Sequence, residues 1–242
     1  MGGTLIKYTD AGVVCHSVSL TRGEAGQSGP PGTAPIPPAR LGELREAEFA
    51  ESGRLMGIAS TTALRYPDGG LASAPADDVI RDIVRWLRST RPDVVIIWGP
   101  DGGYGHPDHI AVHHVGHRAA ELAGTPYVYE GTMNRDALVA MIETARSNGA
   151  EDFGPDDFDV NSADDGNAFG TPEAELTTRV DVTGYIDQKR ESLLCHGSQV
   201  NDSSFFLQMP PEAFTGAFGT EWFIRVGAPS GISEDWLAGL SR

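Results

Sequence analysis

Two periods of apolar spacing interleave along this chain. In residues 77–89, Val79, Ile80, Ile83, Val84 and Leu87 fall on one stripe at helical spacing, which predicts an amphipathic helix. The run that follows, Asp93-Val94-Val95-Ile96-Ile97-Trp98, does not alternate and is β-branched through its centre, the pattern of a strand buried on both faces of a parallel sheet. The same succession recurs on either side. Upstream, Leu5, Ile6 and Tyr8 predict a helix over residues 1–12 that stops at Gly12 and has no capping residue ahead of it. A β-rich run at 13–20 and a short one at 62–65 flank a predicted helix at 41–56, with Leu44, Phe49, Leu55 and Met56 as its candidate buried face. Downstream come a helix at 106–123, a strand at 126–129, a helix at 135–146, a strand at 176–182, a helix at 185–196 and a strand at 222–226. Strands alternating with helices predict an α/β fold, doubly wound, with a mostly parallel sheet and helices on both faces. The chain reads as one domain over residues 1–242. Such sheets usually open on a strand, so the first strand is expected to be absent from this chain.

Breakers and charge refine the picture. Residues 26–40 are dense in Gly and Pro, which predicts an irregular loop. Residues 148–175 hold nine Asp and Glu with little periodicity, the composition of an exposed acidic loop or flap whose Asp spacing fits no EF-hand. With 18 Lys+Arg against 34 Asp+Glu the formal charge is −16, and Lys occurs only at positions 7 and 189. Phosphate binding runs on clustered cations, so nucleic acid and anionic membranes are excluded as partners. No stretch approaches the ~20 apolar residues of a membrane span. The N-terminus lacks the basic and apolar regions of a signal peptide, and a cytoplasmic location is expected. Cys15 and Cys195 form neither a metal-type pair nor a disulfide framework, and both are expected as reduced core thiols.

One segment carries chemistry: Trp98-Gly99-Pro100-Asp101-Gly102-Gly103-Tyr104-Gly105-His106-Pro107-Asp108-His109. It follows the strand expected to be most buried, at the carboxyl end of the sheet, where open α/β folds place their ligands. Pro107 suits a first helical turn and Asp108 is favoured there by the helix dipole. His106 then sits at the helix entrance and His109 three residues on, so the two imidazoles need not face the same way; one could coordinate a metal while the other meets substrate. His109, His113 and His117 follow at i, i+4 and i+8, a spacing that could make a zinc pair. The His109-Ile110-Ala111-Val112-His113 segment lacks the Glu a metalloprotease helix uses as base, which favours a hydrogen-bonded helix face at His113. His16, His114 and His196 read as structural. Gly102-Gly103-Tyr104-Gly105 misses the dinucleotide fingerprint, and His-Pro stands where an open phosphate cradle is needed.

The string Gly103-Tyr104-Gly105-His106-Pro107-Asp108-His109 resembles the second motif of the zinc-dependent LmbE-like deacetylases, also called the PIG-L or GlcNAc-phosphatidylinositol de-N-acetylase family. Thr21-Arg22-Gly23-Glu24-Ala25-Gly26 resembles that family's post-strand turn, and Leu41-Gly42-Glu43-Leu44-Arg45-Glu46-Ala47-Glu48 its first long helix. Asp68-Gly69-Gly70 and the stretch at 189–199 also fit, so the resemblance runs nearly end to end. It implies a Rossmann-like fold and a cytoplasmic metalloenzyme with zinc held by two histidines and an aspartate; ferrous iron suits the same donor set. On this pattern His109 matches the second zinc histidine, and His106 the residue that stabilises the tetrahedral oxyanion or protonates the leaving amine. Tyr104 matches a mobile tyrosine that helps hold the oxyanion, and Asp108 a group that orients or tunes His106. Arg45 and Asp68 match positions that bind polyol hydroxyls.

The implied reaction is hydrolysis of the acetamide of a small amino-sugar conjugate of the GlcNAc-inositol type. Two alternatives stand beside it: a mycothiol S-conjugate amidase and a non-catalytic sugar or polyol binder. Gln27 and the Pro-rich loop up to Arg40 are expected to shape the pocket rim and to bear on the choice. A homo-oligomer is compatible with every reading. The family's first motif, Ala-His-Pro-Asp-Asp-Glu, is not in this sequence, and its place would precede Met1. It would supply the other zinc histidine, the zinc aspartate and the general base, so the chain as given is expected to be impaired. A start assigned too late is favoured over a true loss because the later motif is intact.

Overall fold

The computed structural model describes residues 1–26, 34–147, 160–162, 166–200 and 204–240. Gln27 and positions 148–159 and 163–165 of the acidic stretch lie outside them. The elements follow in the order α1 (Gly2–Asp10), β1 (His16–Ser19), α2 (Pro38–Leu55), β2 (Ser60–Ala63), α3 (Ala76–Thr90), β3 (Val94–Trp98), α4 (Pro107–Ala123) and β4 (Tyr127–Thr132). Then come α5 (Arg135–Ser147), β5 (Thr178–Asp181), α6 (Ile186–Leu194), α7 (Phe205–Gln208), α8 (Pro211–Phe218) and β6 (Thr220–Arg225). Predicted helices and strands form close to their expected positions, and the class is α/β; α7 and α8 are additions. The chain divides into two compact units, one of Met1–Leu71 with Val182–Gly219 and one of Ala72–Asp181 with Thr220–Ser241.

In the first unit β1 and β2 pair in parallel from His16↔Ser60 to Ser19↔Ala63, and α2 is the crossover between them. Proline suits the first position of α2, because the N–H it lacks would have no partner inside the helix. The buried face of α2 differs from the expected one. It is Leu41, Gly42, Arg45, Ser52 and Gly53, while Leu44 is exposed. Small residues let neighbours approach the helix closely: a methyl on Gly53 would lie 2.4 Å from Thr61 Cγ2. The Ser52 hydroxyl donates to the Ser192 carbonyl at 3.2 Å and ties α2 to α6. Cys15 and Cys195 are free but only half-buried, so the expected core placement fails for both. Each thiol lies outside the apolar core made by Ile6, Tyr8, Leu41 and Phe214.

In the second unit the strands run in the order β3-β4-β6-β5. β3 and β4 are parallel, and β6 is antiparallel to both β4 and β5, so this sheet is mixed. β3 ends the sheet, and only its Ile97 is buried, in place of the burial on both faces that its sequence predicts. The α3 stripe behaves as expected, with Val79, Ile83, Val84 and Leu87 buried. It packs on α4, whose Ala119 and Ala120 are wholly buried. Burying each of those Val, Ile and Leu side chains of α3 contributes roughly 1.5–3 kcal/mol. The described end of the acidic stretch is tied down by Arg135, which donates to the carbonyls of Ala168 and Phe169 at 3.2 and 3.0 Å and to that of Gly170. Among the described residues no helix is long and apolar enough to cross a membrane.

Candidate active site

The loop after β3 is built by hydrogen bonds to its own backbone. Asp101 accepts from Gly103 N at 3.0 Å through its carboxylate and from Gly105 N at 2.8 Å through its carbonyl. Gly102 has φ +62, and a methyl there would lie 2.8 Å from both His109 Cβ and Ile110 N. The loop therefore rests directly on the first turn of α4, which only glycine permits. His106 is the N-cap of that helix and Pro107 its first residue, as the motif predicts.

Four rings meet at this junction. The imidazoles of His106 and His109 lie 4.9 Å apart between centroids and are tilted by 42°, so they share one site despite their three-residue spacing. Trp98, the last residue of β3, stacks on His109 at 4.4 Å and 7°. Tyr104, 40% exposed, stands edge-on to His109 at 5.1 Å and 5.9 Å from His106. Trp98 opens the chemistry-bearing segment, but the sequence assigns it no role of its own; its place at the strand end just before the glycine loop is the available signal.

Backbone partners set the two imidazoles differently. His109 Nδ1 lies 3.0 Å from the Gly102 carbonyl, which can only accept, so Nδ1 carries the proton and Nε2 keeps its lone pair. His106 Nδ1 instead accepts from the Asp108 amide at 3.2 Å, so in the neutral ring Nε2 carries the proton. Asp108 thus meets His106 through its backbone N–H, and the residue as a whole is only 4% exposed. One imidazole offers a donor and its neighbour an acceptor.

Arg45 and Asp68 belong to the first unit, Tyr104, His106, Asp108 and His109 to the second; the structure brings each set together within its own unit. Arg45 is buried and donates to the Gly23 carbonyl. Burial pulls its guanidinium below the ordinary value, opposed by the carboxylates of Asp68, Glu48 and Glu24. Asp68 accepts from Thr21 Oγ1 at 3.1 Å and from Ala25 N at 3.0 Å, and its own amide donates to Glu24 Oε1 at 3.1 Å. Glu24 Oε2 is buried without a hydrogen-bond partner.

Metal-binding capacity lies further along α4. Among the described residues, the group of three potential ligands is His113, His117 and Glu130, whose ligand atoms all lie within 4.8 Å of one another. Glu130 was not foreseen, since a lone carboxylate on a strand has no spacing signal to its partners on a helix. His109 belongs to no such group of three, so its Nε2 fits one metal bond and the described residues do not complete a ligand set around it.

The family description PIG-L: GlcNAc-PI de-N-acetylase matches residues 1–120. The 1D-myo-inositol 2-acetamido-2-deoxy-alpha-D-glucopyranoside deacetylase of Thermobifida fusca is 31% identical over 224 residues, 82% of this chain and 78% of the relative. In fold, the N,N'-diacetylchitobiose deacetylase of Pyrococcus horikoshii is similar with a TM-score of 0.62 and 23% identity, covering 93% of this chain and 78% of the other. The 4-carboxy-2-hydroxymuconate hydratase of Pseudomonas putida reaches 0.61 at 16% identity, over 98% and 92% of the two chains. A deacetylase and a hydratase thus share this architecture, which therefore does not choose the reaction. The matched description and the length and identity of the Thermobifida alignment together show that this chain belongs to the PIG-L (GlcNAc-PI de-N-acetylase) family.

Proposed function

We propose that this protein removes the acetyl group from an N-acetylglucosamine conjugate of the GlcNAc-inositol type. The observation that carries the reading is the opposed pair of tautomers at His106 and His109, joined to the named activity of the Thermobifida relative. The Nε2–H of His106 donates to the amide oxygen as negative charge develops on it, the point at which a preorganised donor acts most. With Nδ1 already accepting from the Asp108 amide, this ring suits hydrogen-bond donation better than delivery of a proton from an imidazolium. The exposed Tyr104 hydroxyl joins it as a second donor, and Asp108 is a positioning residue through its backbone. His109 Nε2 is the nitrogen that would hold zinc, or ferrous iron, with Trp98 and the Gly102 carbonyl fixing the ring plane. Zinc in such an enzyme supplies a bound water of lowered pKa and polarises the carbonyl. Arg45 and Asp68, with the unpartnered Glu24 oxygen, suit the hydroxyls of a polyol. The substrate is a small molecule, and the place of action the cytoplasm.

Acetate release from GlcNAc-inositol with zinc or ferrous iron added tests this. We expect turnover that falls about 10²–10³-fold in kcat in His106→Ala, the loss usual for one oxyanion donor. Sugar binding without acetate release under both metals refutes the reaction and leaves a polyol-binding protein. That second reading is favoured by one observation, the incomplete ligand set at His109.

A further inference from the structure

The geometry points to a divalent-metal site of the zinc class at His113, His117 and Glu130, built from regular elements one and two turns beyond His109. His113 and His117 lie four residues apart on one face of α4, with ring centroids 4.4 Å apart. Glu130 comes from β4, opposite Ile97 of β3. Its Oε1 is 2.8 Å from His117 Nε2 and 3.5 Å from His113 Nδ1.

Three features favour a cation over a simple hydrogen-bonded cluster. The Glu130 side chain is only 13% exposed, and among the described residues its ion-pair partners are the two imidazoles, with no Lys or Arg. A carboxylate so far removed from water needs a compensating charge. Ligand atoms around a tetrahedral zinc at ~2.1 Å sit about 3.4 Å apart. The 2.8 and 3.5 Å separations to Glu130 Oε1 bracket that value, the three ligand atoms all lie within 4.8 Å of one another, and α4 packs on β3, the strand paired with β4. Two imidazoles and a carboxylate also form the donor set that zinc and its neighbours in the first transition row take.

Metal entry replaces the proton on each ligating nitrogen. In a neutral imidazole that proton moves to the other ring nitrogen, so His117 ligates through Nε2 with Nδ1 protonated, and no net proton leaves the rings. At His113 the same shift removes a donor from the Trp98 carbonyl, which its Nδ1 now approaches to 3.0 Å. Trp98 is the residue stacked on His109. Occupancy of this site therefore reaches the candidate catalytic junction through one residue.

Equilibrium dialysis against zinc tests the assignment on the whole chain carrying His109→Gln, which removes the family's candidate ligand. About one zinc per chain is expected to remain. Adding His117→Gln should weaken that binding by roughly 100-fold or more, as loss of a ligand exceeds the 10–100-fold cost of losing an outer partner. Adding His114→Gln, on another face of the same helix, should leave it unchanged. Zinc absent from the His109→Gln chain, or retained after His117→Gln, overturns the proposal. Histidine side-chain 1H–15N spectra of the unsubstituted chain guard against a folding artefact. Zinc should shift His113 Nδ1 and His117 Nε2, and unmoved signals at both count against the site.

Discussion

Adding one methyl group at Gly102 separates backbone strain from close approach. Alanine there meets two costs. The left-handed conformation at φ +62 is worth about 1–2 kcal/mol against any residue with a Cβ. The new Cβ also lies 2.8 Å from His109 Cβ and Ile110 N, about 0.6 Å inside the 3.4 Å at which ordinary contact begins. Both atoms belong to the first turn of α4 and cannot rotate away, so the loop or the helix must shift. Overpacking of this kind costs about 1–3 kcal/mol. Gly124 provides the control: it caps the far end of the same helix at φ +73, with nothing within 4 Å of its would-be Cβ. Gly124→Ala should lose about 1.5 kcal/mol and Gly102→Ala about 3.5 kcal/mol, measured by urea denaturation. A shift of half an ångström at His109 should also lower acetate release by roughly tenfold or more in Gly102→Ala alone. Equal destabilisation of the two variants, or full activity in Gly102→Ala, refutes the contact between loop and helix.

Two further predictions concern pH and the core. Burial, with the Glu234 hydrogen bond and charge, pushes the Tyr129 hydroxyl up to about 12, against a smaller opposing contribution from the Ala238 amide and Arg225. This group's contribution to stability is complete below its ordinary value of 10 and is lost as pH rises towards 12. Tyr129→Phe strands the Ala238 amide and removes a donor from Glu234. It should cost about 2–4 kcal/mol at neutral pH and flatten the alkaline fall in the urea midpoint; an unchanged midpoint contradicts this. Burial lowers His196, helped by Arg45 and opposed by Glu48, so its contribution is present above its ordinary value of 6.5 and is lost as pH falls below it. His196→Gln should reduce the acid-side loss of stability in a pH series of thermal melts, and an identical acid limb counts against it.

Local pattern was enough for much of the scaffold. The α3 stripe is buried as its 3.6-residue spacing demands, and the Gly-His-Pro-Asp-His string fixes a cap, a first turn and two imidazoles within one short segment. These features depend on neighbours in sequence, which is why a sequence holds them. Others depend on partners far along the chain. Arg45 faces inward on α2 because the Gly23 carbonyl, some twenty residues earlier, receives its guanidinium, and Leu44 is turned outward by the same rotation of the helix. Hydrophobic runs do not encode direction, so the antiparallel placement of β6 between β4 and β5 is legible only from the pairing. The tautomers of His106 and His109 follow from which backbone group each Nδ1 meets, a distinction that two identical residue types cannot carry in sequence. Sequence thus determined the elements, the family and the reactive residue types. Tertiary structure alone decided which lone pair and which N–H those residues present, and that Glu130 joins the histidines of α4, because the first is set by how the glycine loop folds onto α4 and the second by the packing of α4 on the sheet that holds β4.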